Sequence, residues 1–105
     1  MDIREYGAYD EEEILSLYQS VGWTAYTDHP GVLKAGFTGS LLCLAAYEDE
    51  RLIGLLRAVG DGQTVVLIQD ILVRPEYQGR GVGRALLETA LDRFRSVRQI
   101  GRAHV

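Results

Sequence analysis

A chain of 105 residues, 47% hydrophobic and 25% charged, has the proportions of one soluble globular domain and excludes a second. Its lone cysteine, Cys43, cannot pair within the chain, so neither a disulfide framework nor an oxidising compartment is implied, and a chain of this size buries roughly 65% of its unfolded surface without such support. Fifteen acids against 11 bases, a net charge of -4, argue against nucleic acid as the main partner. No apolar run approaches the ~20 residues of a membrane span, and the start Met1-Asp2-Ile3-Arg4-Glu5 lacks the basic and apolar regions of a signal peptide, so no membrane association and a cytoplasmic location are expected.

In chain order, Ile3 to Tyr6 reads as a short edge strand, and Asp10 with Glu13 resembles a capping box opening a helix. Ile14, Leu17, Tyr18 and Val21 recur at helical spacing up to a stop at Gly22. Between Trp23 and Gly39 the pattern is irregular: Thr27, Asp28, Pro30 and Gly31 suggest a turn into one or two helical turns around Val32 to Phe37. Leu41 to Tyr47, Leu52 to Val59 and Thr64 to Val73 read as a three-strand antiparallel meander. The last of these is apolar on both faces except at Gln69 and Asp70, so it is expected to be the central, doubly covered strand, ended by Pro75. A second amphipathic helix is expected from about Gly81 to Val97, carrying Val82, Leu86, Leu87, Ala90, Leu91 and Phe94.

The chemically informative stretch is Gln78-Gly79-Arg80-Gly81-Val82-Gly83-Arg84, set between a buried strand and a helix. It contains no proline, so every backbone N–H there is expected to be free to donate. Its glycines let a ligand approach the main chain, and the first turn of the helix offers unpaired N–H groups with partial positive charge. Such a turn binds phosphate, with Arg80 and Arg84 either adding charge at the rim or simply solvated. Basic residues from Arg74 onward keep a small anionic ligand near residues 74 to 84 open. A dinucleotide fingerprint fails, because Arg84 stands where its third glycine would be and Gln99 where its acid would be; a triphosphate loop fails for want of the closing lysine and hydroxyl. The spacing that fits is Gln-x-x-Gly-x-Gly at Gln78, Gly81 and Gly83.

With Asp-Ile-Leu-Val-Arg-Pro-Glu-Tyr before it and Ala-Leu-Leu after it, this stretch resembles the GNAT superfamily of acyl-CoA-dependent N-acetyltransferases. The likeness extends from Ile3 to about Gln99 and is specific over Ile68 to Leu87. It implies an α/β fold, α+β in the stricter sense: a mixed, mostly antiparallel sheet with helices on both faces. It further implies acetyl-CoA as co-substrate, with its pyrophosphate on the N–H groups of Gly79, Arg80, Gly81, Val82, Gly83 and Arg84. The pantetheine arm would pair with Ile71, Leu72 and Val73 where the strand bulges, the N–H of Leu72 would polarise the thioester carbonyl, and a primary amine would be the acceptor.

Asp70 is the one carboxylate inside this strand. The resemblance makes it a candidate general base, while acceptance of hydrogen bonds from backbone groups at the bulge is its structural alternative. Trp23 and Tyr26 fall in the segment that walls the acceptor site in this family, or else they are core. His29 is expected in solvent, Cys43 as a small buried residue, and Tyr77 packed under the turn. No histidine, cysteine or carboxylate cluster has metal-ligand spacing.

The family's fold continues beyond this second helix, so the chain reads as a partial domain over residues 1–99, lacking the C-terminal part. Ile100-Gly101-Arg102-Ala103-His104-Val105 breaks the pattern where an apolar strand is due; it resembles a translated sequencing adapter and is expected to be a non-native tail. A chain cut there is expected to self-associate through an open sheet edge and not to turn over by itself. The alternative functions are a CoA-binding or interaction module without turnover and, disfavoured by the failed spacings, another kind of nucleotide-binding domain.

Overall fold

The computed structural model describes residues 1–102, so Ala103, His104 and Val105 of the expected tail lie outside the described residues. Along the chain come β1 (Asp2–Glu5), α1 (Glu11–Ser20), α2 (Thr24–Thr27), α3 (Pro30–Thr38), β2 (Leu42–Glu48), β3 (Arg51–Gly60), β4 (Val65–Val73), a 3-10 turn (Pro75–Tyr77), α4 (Val82–Arg93) and β5 (Gln99–Arg102). The sheet runs β1-β2-β3-β4-β5, antiparallel except for the parallel pair β4 and β5. Among the described residues no helix is long and apolar enough to cross a membrane.

Local chemistry accounts for the boundaries. The Asp10 carboxylate accepts from the Glu13 N–H at 3.2 Å, which is half of the expected capping box. The other half is bridged by Tyr6: its hydroxyl accepts from the Asp10 N–H at 3.1 Å and donates to Glu13 Oε1 at 3.0 Å. At the other end of α1, the Trp23 N–H reaches the Tyr18 carbonyl and the Gly22 N–H the Gln19 carbonyl. Gly22 sits at φ +76, the left-handed conformation that this helix ending requires and that glycine adopts without strain. Pro30 opens α3, where its missing N–H costs nothing.

One face of the sheet carries α1 to α3, burying Ile14, Leu17, Tyr18 and Leu33 on Ala45, Leu52, Leu55 and Leu72. The other carries α4, burying Val82, Leu86 and Ala90 on Leu44, Ala46, Ile53, Leu56 and Ala58. The doubly covered strand is β3, buried without a break from Leu52 to Ala58, and not β4, whose residues alternate between buried and half-buried. An apolar composition on both faces of β4 does not suffice to make it central, because β5 gives it only a short neighbour. The second helix ends at Arg93, four residues short of the expected Val97; Phe94 caps it and the Val97 N–H turns back onto the Phe94 carbonyl. The strand at Gln99–Arg102 forms across the start of the expected tail. Its pairing with Val65 to Ile68 uses main-chain groups, which an irregular side-chain pattern does not prevent.

Gly54 on β3 sets how closely α4 lies. A methyl group there would stand 3.1 Å from Val82 Cγ1, 3.3 Å from Leu86 Cδ1 and 3.3 Å from the Leu72 carbonyl oxygen. Gly54→Ala is therefore expected to cost about 1–3 kcal/mol by overpacking, read as a lowered urea midpoint with unchanged slope; an unshifted midpoint would mean that α4 moves freely.

Candidate functional site

Strand β4 carries one residue more than its partner. Arg57 pairs with Asp70 and the next residue, Ala58, with Ile68, which leaves Gln69 as a bulge. The extra residue inverts the alternation: Val66 and Ile68 lie on the α4 face, and so do Ile71 and Val73, while Asp70 and Leu72 lie on the α1 face. The bulge thus stands two residues before the expected Ile71 to Val73. On the opposite edge β5 pairs only with Val65 to Ile68, so among the described residues β4 has no neighbour there from Gln69 onward.

The direction of the amides follows from the same ladder. The Arg74 N–H donates to the Ile53 carbonyl of β3 at 2.8 Å, and alternation then turns the Leu72 N–H toward β3 as well. Ile71 and Val73 direct theirs to the open edge. The expectation that Leu72 supplies the free N–H is corrected accordingly, because the parity of the ladder gives that position to Ile71 and Val73.

Following β4, the Gln78 N–H donates to the Pro75 carbonyl, so one amide of the glycine stretch is already used, and Gln78 Nε2 donates to the Val73 carbonyl at 2.9 Å, tying the turn to the strand edge. Gly79 and Gly81 sit at φ +77 and +85, conformations that side chains rarely adopt. The first main-chain bond of α4 runs from the Ala85 N–H to the Gly81 carbonyl, leaving the amides of Val82, Gly83 and Arg84 facing out of the helix start. Ile71, Leu72, Val73, Gln78, Gly83 and Arg84 line one cleft of about 500 Å³, with Trp23 on its wall. The other expected residues lie around it: the Arg80 guanidinium stands 5.4 Å from the centre of the half-buried Tyr77 ring, the Val82 side chain belongs to the core, and Arg84 is exposed beside Glu88.

Asp70 is 1% exposed and takes three side-chain donors. Arg57 Nε and the Tyr18 hydroxyl reach Oδ2, each at 2.8 Å, and the Tyr26 hydroxyl reaches Oδ1 at 3.2 Å. Its acceptor role is therefore real, but toward side chains and not toward backbone groups. Burial pushes the Tyr18 phenol far above its ordinary range, and the neighbouring carboxylate adds to that. Burial opposes the charge of Arg57, yet the hydrogen bond and attraction of Asp70 outweigh it and hold the guanidinium above its usual value. Arg57 Nη1 also donates to Ser40 Oγ at 3.2 Å, which extends the network to the end of α3.

A profile of the acetyltransferase (GNAT) family matches residues 8–105. The chain belongs to that family. An uncharacterized N-acetyltransferase ycf52-like protein of Prochlorococcus marinus is 34% identical over 83 residues, which cover 75% of this chain but only 45% of that relative. The chain thus spans less than half of its length. A GNAT family acetyltransferase from Streptococcus pneumoniae TIGR4 superposes with a TM-score of 0.86 at 34% identity, covering 99% of this chain and 75% of that one. The PaiA N-acetyltransferase from Thermoplasma acidophilum, solved in complex with coenzyme A, shares the fold at a TM-score of 0.75 and 18% identity, covering 90% of this chain and 71% of that one.

Within this GNAT domain the sequence reading missed Arg57 and Arg74. Arg57 is the lone charge inside the apolar run Leu52 to Val59, as Asp70 is inside β4, and two such residues on adjacent strands signal a buried pair. Arg74, expected only as one of the bases that leave an anionic ligand near residues 74 to 84 open, instead turns its Nε to the Leu52 carbonyl at 2.7 Å and lines a concavity with Asp10, Glu12 and Glu13. His29 is exposed, and Cys43 is half-buried with its thiol pushed up by burial. Removing one partner of the buried pair leaves the other uncompensated, so Asp70→Ala is expected to lose about 3–5 kcal/mol in urea unfolding; a loss below about 1 kcal/mol would mean that the pair is open to water.

Proposed function

We propose that this domain takes acetyl-CoA along the open edge of β4 and supports transfer of its acetyl group to a primary amine. The observation that carries the reading is the meeting of two main-chain surfaces across one cleft: the edge amides of Ile71 and Val73, and the outward amides at the α4 start next to Gly83. A pyrophosphate suits the second surface, because unpaired N–H groups and the helix dipole both favour an anion there. A thin amide-bearing arm suits the first, as an added strand pairing with β4. Gly83 faces Val73 in this cleft, and a methyl group on it would stand 3.6 Å from Val73 Cγ2, inside the space the ligand needs.

In this reading the amine nitrogen attacks the thioester carbonyl carbon. The Ile71 N–H donates to the carbonyl oxygen as it gains charge, then the carbon–sulfur bond breaks and the thiolate takes up one proton as the amine gives one up. The second reading, CoA binding without turnover, is favoured by one observation: among the described residues the cleft is lined by no carboxylate or histidine, and Asp70 is committed to three donors. Steady release of free thiol from acetyl-CoA that depends on added amine separates the two readings.

Calorimetry with CoA on the purified chain tests the cleft itself. Gly83→Val is expected to weaken binding by more than tenfold with helix content retained, since Gly83 needs no left-handed conformation. Gly81→Val would strain the turn with or without ligand. Equal affinity in Gly83→Val and the parent would remove the glycine stretch from the binding site.

A further inference from the structure

The buried pair ends on a residue that is not buried. Tyr26 is half-exposed on α2 and lines a concavity of about 390 Å³ with Gly22, Trp23, Thr24 and Ala25, next to the wall that Trp23 gives to the main cleft. Its hydroxyl proton is committed to Asp70 Oδ1, and what fixes Asp70 is Arg57 and Tyr18 on the other oxygen. A phenol whose proton is held in this way presents only lone pairs to a ligand, so it accepts and does not donate. Beside it stands the Trp23 ring, its centroid 6.3 Å from that of Tyr26, and Tyr18 packs edge-on to both. Among the described residues none that lines this concavity is charged.

We infer that Tyr26 is a specificity-determining residue that receives an N–H of the acceptor amine on its phenolic oxygen, with Trp23 covering the amine's apolar carrier and Arg57 and Asp70 acting as positioning residues. This deepens the acetyl-transfer reading and rests on it for the name acceptor. The substrate class it selects is a primary amine on an apolar or aromatic carrier. A hydrogen-bond acceptor gains nothing from a hydroxyl whose one O–H already donates to Asp70, and a polyanionic carrier finds no cation among the described residues of this wall. Asp70 has no contact with the amine in this arrangement. Its Oδ1 accepts from the Tyr26 hydroxyl, and the charge-assisted bond from Arg57, with that from Tyr18, fixes its other oxygen.

Trp23 is the only tryptophan in the chain, so its fluorescence reports directly on this wall. The experiment titrates 2-phenylethylamine into the full chain and follows Trp23 emission, with trimethyl(2-phenylethyl)ammonium as the probe that keeps the ring and the charge but has no N–H. Tyr26→Phe is expected to weaken the primary amine about ten- to a hundredfold, the worth of one hydrogen bond to a charged donor, and to leave the trimethylated probe unchanged. Because Arg57→Met alone strands the Asp70 charge and endangers folding, the positioning role is read on the charge-balanced double variant Arg57→Met/Asp70→Leu, with its melting curve recorded. That variant is expected to show the same loss as Tyr26→Phe, and adding Tyr26→Phe to it is expected to change nothing further. Equal weakening of both probes, or full amine affinity in the double variant, would overturn the inference. The CoA titration is read separately: loss of CoA binding with the amine response intact would defeat the acetyl-transfer reading and leave the amine site standing, whereas an amine response indifferent to Tyr26→Phe with CoA binding intact would do the opposite.

Discussion

Gln69 is one residue too many for the ladder between β3 and β4, and the arrangement of the site follows from where the strand accommodates it. With strict alternation Asp70 would share the α4 face with Ile68, among Val82, Leu86 and Ala90, whose apolar side chains offer a carboxylate no donor. The bulge turns it to the other face, opposite Arg57 and under Tyr18 and Tyr26, where its charge is matched. The same shift sends Ile71 and Val73 toward α4, so that the edge amides of β4 and the start of the helix come to border one cleft. One inserted residue thereby places a buried charge and shapes a binding edge.

Two kinds of anchoring keep that geometry in place. On the α4 side it is close approach: Gly54 admits Val82 and Leu86 to the sheet, and Gln78 pins the turn to the Val73 carbonyl. On the α1 side it is polar: Arg57 joins Asp70, Ser40 and the sheet, while Tyr18 and Tyr26 bring α1 and α2 onto the same carboxylate. A buried ion pair of this kind contributes little net stability compared with an apolar replacement, but it strongly disfavours any register that separates its members. The pair therefore favours this register of the bulge and this position of α2.

The features that could be read from the sequence are those whose chemistry is local. The glycine stretch is legible because its function lies in the main chain of consecutive residues, and the alternation of elements is legible from turn residues and apolar spacing. The pairing of Arg57 with Asp70 was not read, because it depends on a register 13 residues apart across a hairpin. The choice between Leu72 and Ile71 as the edge donor depends on ladder parity, which apolar residues on both faces of β4 leave unmarked. The centre of the sheet was misplaced for a related reason: β3 contains Gly54 and Arg57 and looks less like a core strand than β4 does, yet helices cover both its faces.

The central claim is that β4 and the start of α4 present main-chain donors to one ligand. Amide-resolved NMR during titration of the isotope-labelled chain with CoA tests it most directly. The account predicts the largest shifts at Ile71 and Val73 and at Gly79 to Arg84, with much smaller ones at Leu72, whose N–H is engaged by β3. Shifts that ignore this alternation, or that gather on another face while the glycine stretch stays silent, would contradict it.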